Sequence, residues 1–202
     1  MLFFYYTAKK LKRYHFLCMK MVYYTKGNSM KTAYKNMRDF WLDVKNLENK
    51  RGVLEIGPDK ISAAGVEMAV DDNGTLKYVF VATNSLGDSS FYFENNSKSG
   101  LGGMIGGHGN KDLQNAAAHL LAHASRLTGQ MTALTAGDAL PEPLSHEDVC
   151  LFAVSKEKIF YTHVKHAEVC HPEHPFYPMF AYSQQVIGFF RQEQENRPPA
   201  QA

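Results

Sequence analysis

Three cysteines in 202 residues, Cys18, Cys150 and Cys170, are too few and too scattered for a disulfide framework. That usage fits a reducing compartment, and the cytoplasm is the expected location. Long apolar runs are missing as well. The longest uncharged stretch, residues 174–190, is interrupted by Pro175, Pro178, Ser183, Gln184 and Gln185, and falls short of the ~20 mostly apolar residues that a spanning helix needs. No secretory signal is evident, because the apolar Leu2 to Tyr6 precedes the cations from Lys9 to Arg13 instead of following them. Charge of one sign is lacking too. Against 20 Asp and Glu there are 22 Lys and Arg, a formal +2 that gives no general electrostatic footprint for nucleic acid.

What is present is an ordinary folding composition, 45% hydrophobic and 21% charged, long enough to bury a sizeable core. The charge is unevenly spread. Residues 1–29 hold six basic side chains (Lys9, Lys10, Lys12, Arg13, Lys20, Lys26) and no acid, which leaves residues 30–202 with 16 basic against 20 acidic. The basic segment is crowded with aromatics and has no clean period, so it reads as an extension. Either the native product starts at Met30, or cations and rings together make an arm for an anionic surface such as nucleic acid or membrane.

From Met30 the pattern sharpens. Ala33, Tyr34, Met37, Phe40, Trp41, Val44 and Leu47 recur at helical spacing, with Lys35, Arg38, Asp39, Asp43 and Lys45 on other faces, and predict an amphipathic helix over 31–49. Val53–Ile56, Ile61–Val70, Thr75–Thr83 and Ser90–Glu94 read as strands, and Asp72-Asn73-Gly74 marks a tight hairpin between the second and third. Residues 95–110 read as a glycine-rich loop. A helix capped at Asp112 carries Leu113, Ala116, Ala117, Leu120, Leu121, Ala124 and Leu127 on one face, and Gly129 stops it. After a loop over 132–147 come a second hairpin, Val149–Val154 and Ile159–Val164, and a closing helix with Pro178 in its first turn. A disordered tail is expected over 193–202. The order α-ββββ-α-ββ-α predicts one α+β domain over 30–192, with helices packed on a mainly antiparallel sheet. Element order alone resembles profilin-like and roadblock-like modules.

Three constellations carry candidate chemistry. The run from Gly100 to Lys111 precedes a helix N-terminus, where free amides and the helix dipole attract phosphate, and Gly103, Gly106, Gly107 and Lys111 are the candidate contacts. It matches neither the P-loop nor the dinucleotide pattern, since Asn110 separates Gly109 from Lys111 and Ile105 stands where a third glycine is required. His119 and His123, one helical turn apart, could share a metal ion with two of His163, His166, Cys170, His171 and His174. Zinc is the expected metal for that set, and Glu168 or Glu173 the nearest base for a bound water. Cys170 beside His171 is a candidate nucleophile, Cys150 reads as a structural thiol, and His146-Glu147-Asp148 is a polar cluster before a strand. No Gly-x-Ser-x-Gly elbow exists.

No constellation is complete, and the absence of a full catalytic motif favours a binding module that needs no cofactor. The expected partner is another protein, engaged as an accessory subunit, a regulator, or an inhibitor such as a bacterial immunity or anti-defence protein. Tyr161, Phe176, Tyr177 and Phe180 are the aromatics assigned to such an interface. The alternative is a metal-dependent hydrolase or other metalloenzyme built on the clustered histidines and cysteine.

Overall fold

The computed structural model describes residues 30–43, 54–95, 100–106, 109–134, 138–143 and 145–196. Their elements are α1 (Met30–Leu42), β1 (Ile61–Asp72), β2 (Thr75–Asn84), β3 (Ser89–Glu94), β4 (Leu101–Gly106), α2 (Lys111–Leu127), β5 (Thr132–Leu134), β6 (Asp148–Ser155), β7 (Ile159–Lys165), α3 (His166–Val169) and α4 (Tyr177–Glu195). The protein is α+β. The seven strands of the described residues make one antiparallel sheet in the order β4-β3-β2-β1-β6-β7-β5. Asn73 and Gly74 take positive φ values of 55° and 83° and close the β1–β2 hairpin where the dipeptide predicts it.

The sheet is covered on both faces, which is why its central strands are apolar in both phases. Ala64, Val66 and Met68 of β1 and Val149, Leu151 and Ala153 of β6 join a core with α2 and α4. On the opposite face Ala63, Phe80, Ala82, Tyr92, Phe152 and Val154 pack with Tyr34, Met37, Trp41 and Leu42 of α1. Leu113, Ala116, Ala117, Leu120, Leu121 and Ala124 bury the stripe of α2 that the sequence assigns to the core. Among the described residues no helix is long and apolar enough to cross a membrane.

Five expectations need correction. Ile56 makes only an isolated bridge to Ile61 across a tight turn, where Gly57 and Lys60 hold positive φ, so the expected first strand does not form among the described residues. Thr132–Leu134 is a short edge strand on β7, inside what reads as a loop. The last helix continues to Glu195, beyond the point where the tail was expected to begin. The fourth correction concerns the glycines. Leu101–Gly106 is a strand paired with β3 along its whole length, not part of a loop. A Cβ on Gly102 would run into the ring of Phe93, and one on Gly103 would meet the Phe91 carbonyl oxygen and Tyr92 Cδ1, each at 2.7 Å. Glycine is there so that the rings of β3 can lie over the strand, which is how edge glycines are stabilised in sheets.

The cap of α2 is Asn110 rather than Asp112. Its side-chain oxygen accepts from the amides of Asp112 at 3.1 Å and Leu113 at 3.0 Å, and its Nδ2 donates to Glu193 of α4 at 3.1 Å. Asn110→Ala removes both kinds of contact, and a loss of about 1 kcal/mol is expected in urea denaturation. An unchanged midpoint would show that water replaces the cap at no cost. Residues 1–29 and 44–53, where the basic arm and the end of the expected first helix fall, lie outside the described residues.

Candidate functional site

The charged group most deeply placed is one that the apolar patterning conceals. Glu67 interrupts the otherwise uncharged run from Ile61 to Val70, faces α1, and has no exposed surface. Tyr34 Oη donates to its Oε1 at 2.8 Å and Arg38 Nη1 to its Oε2 at 3.0 Å. Tyr34 and Arg38 stand one turn apart on α1, so a single helix face presents both donors to the sheet. The expectation that Arg38 lies on another face is therefore corrected: it is 1% exposed. Arg38 Nε reaches Asp39 at 3.2 Å, Nη1 also lies 3.6 Å from Glu142, and Nη2 is buried with no hydrogen-bond partner among the described residues.

Burial pushes the Glu67 carboxyl up to about 7, against the pull of Arg38 and the Tyr34 hydrogen bond. Burial, and then the nearby Glu67, raises the Tyr34 hydroxyl. Cys150 is opposite Glu67 in the β1–β6 register and is fully buried; burial first and Glu67 second push its thiol far up. It is a core thiol, as its alternating strand implies, and no nucleophile. A carboxyl near neutrality suits proton transfer, but a fully buried one has no route to a substrate. The cluster fastens α1 to the sheet.

The histidines scatter. His119 and His123 lie on α2 and stack on the ring of Tyr182 from α4, with centroids 4.8 and 5.7 Å apart. Burial, followed by the charges of Arg126 and His119, lowers the His123 pKa. His163 is an exposed residue of β7, edge-on to Tyr161, and His174 Nδ1 accepts the amide of Phe176 at 3.3 Å. His166 lies edge-on to Phe180, with its ring nitrogens 3.8 and 3.9 Å from Cys170 Sγ. The imidazole beside Cys170 is thus His166, one turn earlier, rather than the exposed His171. Glu168 and Glu173 are exposed. Among the described residues no three His, Cys, Asp or Glu side chains converge to hold a metal ion, so the expected tetrahedral zinc site is not assembled there. His119→Ala is expected to cost about 0.5–1.5 kcal/mol through the lost stacking, with zinc leaving the wild-type melting temperature unchanged. A zinc-dependent rise that His119→Ala removes would restore the metal reading.

The phosphate candidates fare similarly. Gly103 and Gly106 are strand residues, Gly107 lies outside the described residues, and Lys111 is exposed at the start of α2. The two helix amides that a phosphate would need are bonded to Asn110, whose other end holds the acidic Glu193. Asp148 of the polar cluster is bound to Lys165 at 2.7 Å and to Ser145 Oγ at 3.0 Å. Of the aromatics assigned to an interface, Phe176 and Phe180 belong to the α2–α4 core and Tyr161 packs against the α1-side core.

One feature remains open. Among the described residues β4 ends the sheet, and Asn95 N donates to Gly100 O at 3.2 Å, which fixes the alternation of the β3–β4 ladder. Gly102, Met104 and Gly106 therefore turn their amides and carbonyls toward β3, while Leu101, Gly103 and Ile105 turn theirs outward. Among the described residues no backbone hydrogen bond reaches the outer side of Gly103 or Ile105. Residues 101–106 contain no charge and no proline, the usual guards of an exposed edge. Fold and site together define an α+β protein with a buried charge cluster and, among the described residues, an end strand without charge or proline. Models of known protein families give no match to this chain, and no curated protein matches it.

Proposed function

We propose that the protein is a cytoplasmic binding module, an accessory subunit, regulator or inhibitor, that makes a protein–protein contact by strand addition at the outer edge of β4. The supporting observation is the pair of outward-facing backbone units at Gly103 and Ile105 on an uncharged end strand. An unpaired strand edge recognises extended chain through main-chain hydrogen bonds. A non-enzymatic role agrees with the fully buried Glu67, with the raised Cys150 thiol and with the dispersed histidines.

The test is site-specific photo-crosslinking in cells. A benzophenone amino acid at position 105 is expected to give a discrete protein adduct, while the same group at Ala118, on the exposed side of α2, gives none. No adduct at 105, or equal adducts at both positions, would overturn the reading.

A further inference from the structure

We propose that the strand which pairs with β4 is β4 of a second copy of this chain, running antiparallel about a two-fold axis at Met104, so that two seven-stranded sheets continue as one. This rests on the strand-addition reading above and names its partner. Two identical antiparallel strands are related by a two-fold axis perpendicular to the sheet, and opposed residues must face the same side. The axis therefore passes through a residue, not between two. An axis at Met104 sets Gly103 opposite Ile105 of the second copy, and Ile105 opposite the second copy's Gly103. Within residues 102–106 these are the two whose amides and carbonyls face outward, so about four N–H···O=C bonds form across that span.

The side chains agree with that register. On the α1 face each Ile105 meets a glycine of the other copy, a large residue against a small one. On the opposite face Gly102 meets Gly106, and the two unbranched Met104 side chains meet on the axis, where methionine adapts its shape most readily. No charge lies within residues 101–106, so pairing brings no like charges together.

A foreign peptide fits less well. Edges that read foreign strands do so through pockets for alternate side chains. Here the Phe93 ring fills the space over Gly102, the Tyr92 ring lies against Gly103, and Phe190 comes within 3.6 Å of a Cβ on Gly106. The chain's own rings occupy the places where such pockets would lie. The edge offers hydrogen bonds and a flat surface, which a second copy of the same strand satisfies. A contact of this length is small, and a dissociation constant in the micromolar range is expected.

Sedimentation velocity of the full chain across the micromolar range is expected to show a monomer–dimer equilibrium. Met104→Lys and Met104→Glu should each be monomeric, because like charges meet on the axis, and an equimolar mixture should regain the dimer. Thermal melts establish that both variants are folded. Amide exchange of the wild type provides a measure free of substitution: the Gly103 and Ile105 amides should slow as concentration rises. A wild type that stays monomeric to high concentration, or a dimer indifferent to both charges and to the mixture, overturns the self-pairing. If position 105 still crosslinks to a different protein in cells, strand addition stands and only the identity of the partner fails; if it crosslinks to nothing, both fail.

Discussion

Arg38→Met is expected to destabilise the protein by about 3–5 kcal/mol at pH 8 and by less than about 1 kcal/mol at pH 5. The reason lies in which charge is left behind. At pH 8 the variant buries an ionised Glu67 with no counter-ion, while methionine fills much of the volume that the arginine stem occupied. At pH 5 Glu67 is protonated in the fold, because burial raises its pKa to about 7, and the loss of a counter-charge costs little. The sign of the wild-type dependence follows from the same shift. A carboxyl whose folded value lies above its unfolded value of 4.5 contributes stability that is complete below 4.5 and is lost as pH rises through about 7. Glu67→Gln should flatten that part of the slope. The groups that interact with Glu67 are Tyr34 and Arg38 on α1, Glu142, Tyr78 on β2 and Cys150 on β6, while Asp39 acts on Arg38 and Glu94 of β3 acts on Tyr34 and Tyr78. Urea denaturation of wild type, Arg38→Met and Glu67→Gln at both pH values decides the matter. An Arg38→Met cost that is equal at pH 5 and pH 8 would assign the effect to packing instead of charge.

Gly103→Val is expected to lower stability by about 1–3 kcal/mol, the range for forcing atoms into filled space. Its Cβ would lie 2.7 Å from the Phe91 carbonyl oxygen, which belongs to the β3 backbone and cannot turn aside. Gly129→Ala is the matched control, since nothing stands within 4 Å of a Cβ there, and its effect should stay within about 0.5 kcal/mol. A mobile glycine loop would tolerate both changes equally. Equal midpoints for the two variants in thermal or urea denaturation would therefore refute β4 as a packed strand.

That contrast separates local from long-range information. The amphipathic stripe of α2, the Asn73-Gly74 hairpin and the paired runs of β6 and β7 were legible because neighbouring residues determine them: a helical face repeats every three or four positions, and a tight turn needs positive φ at adjacent residues. The glycines of β4 were misleading because the same residue gives freedom when nothing covers it and close packing when a ring does. Phe93 lies nine positions before Gly102 and Tyr92 eleven before Gly103, and only the β3–β4 register brings their rings onto the glycines.

The cluster at Glu67 divides in the same way. Its one local signal was a lone acid within an apolar strand, together with Tyr34 and Arg38 one turn apart, but their separation by 29 to 33 residues gave no periodicity to detect. The histidines erred in the opposite direction, since proximity in sequence suggested convergence and the sheet and helices sent the side chains to different neighbours. By itself the sequence determined the α+β class, the main elements and their apolar faces, because patterning and turn chemistry act over a few residues. Which strand ends the sheet, which charge is sealed beneath α1 and which polar groups meet were decided by tertiary structure alone, because strand register and helix docking join residues far apart in the chain through contacts that no local pattern records.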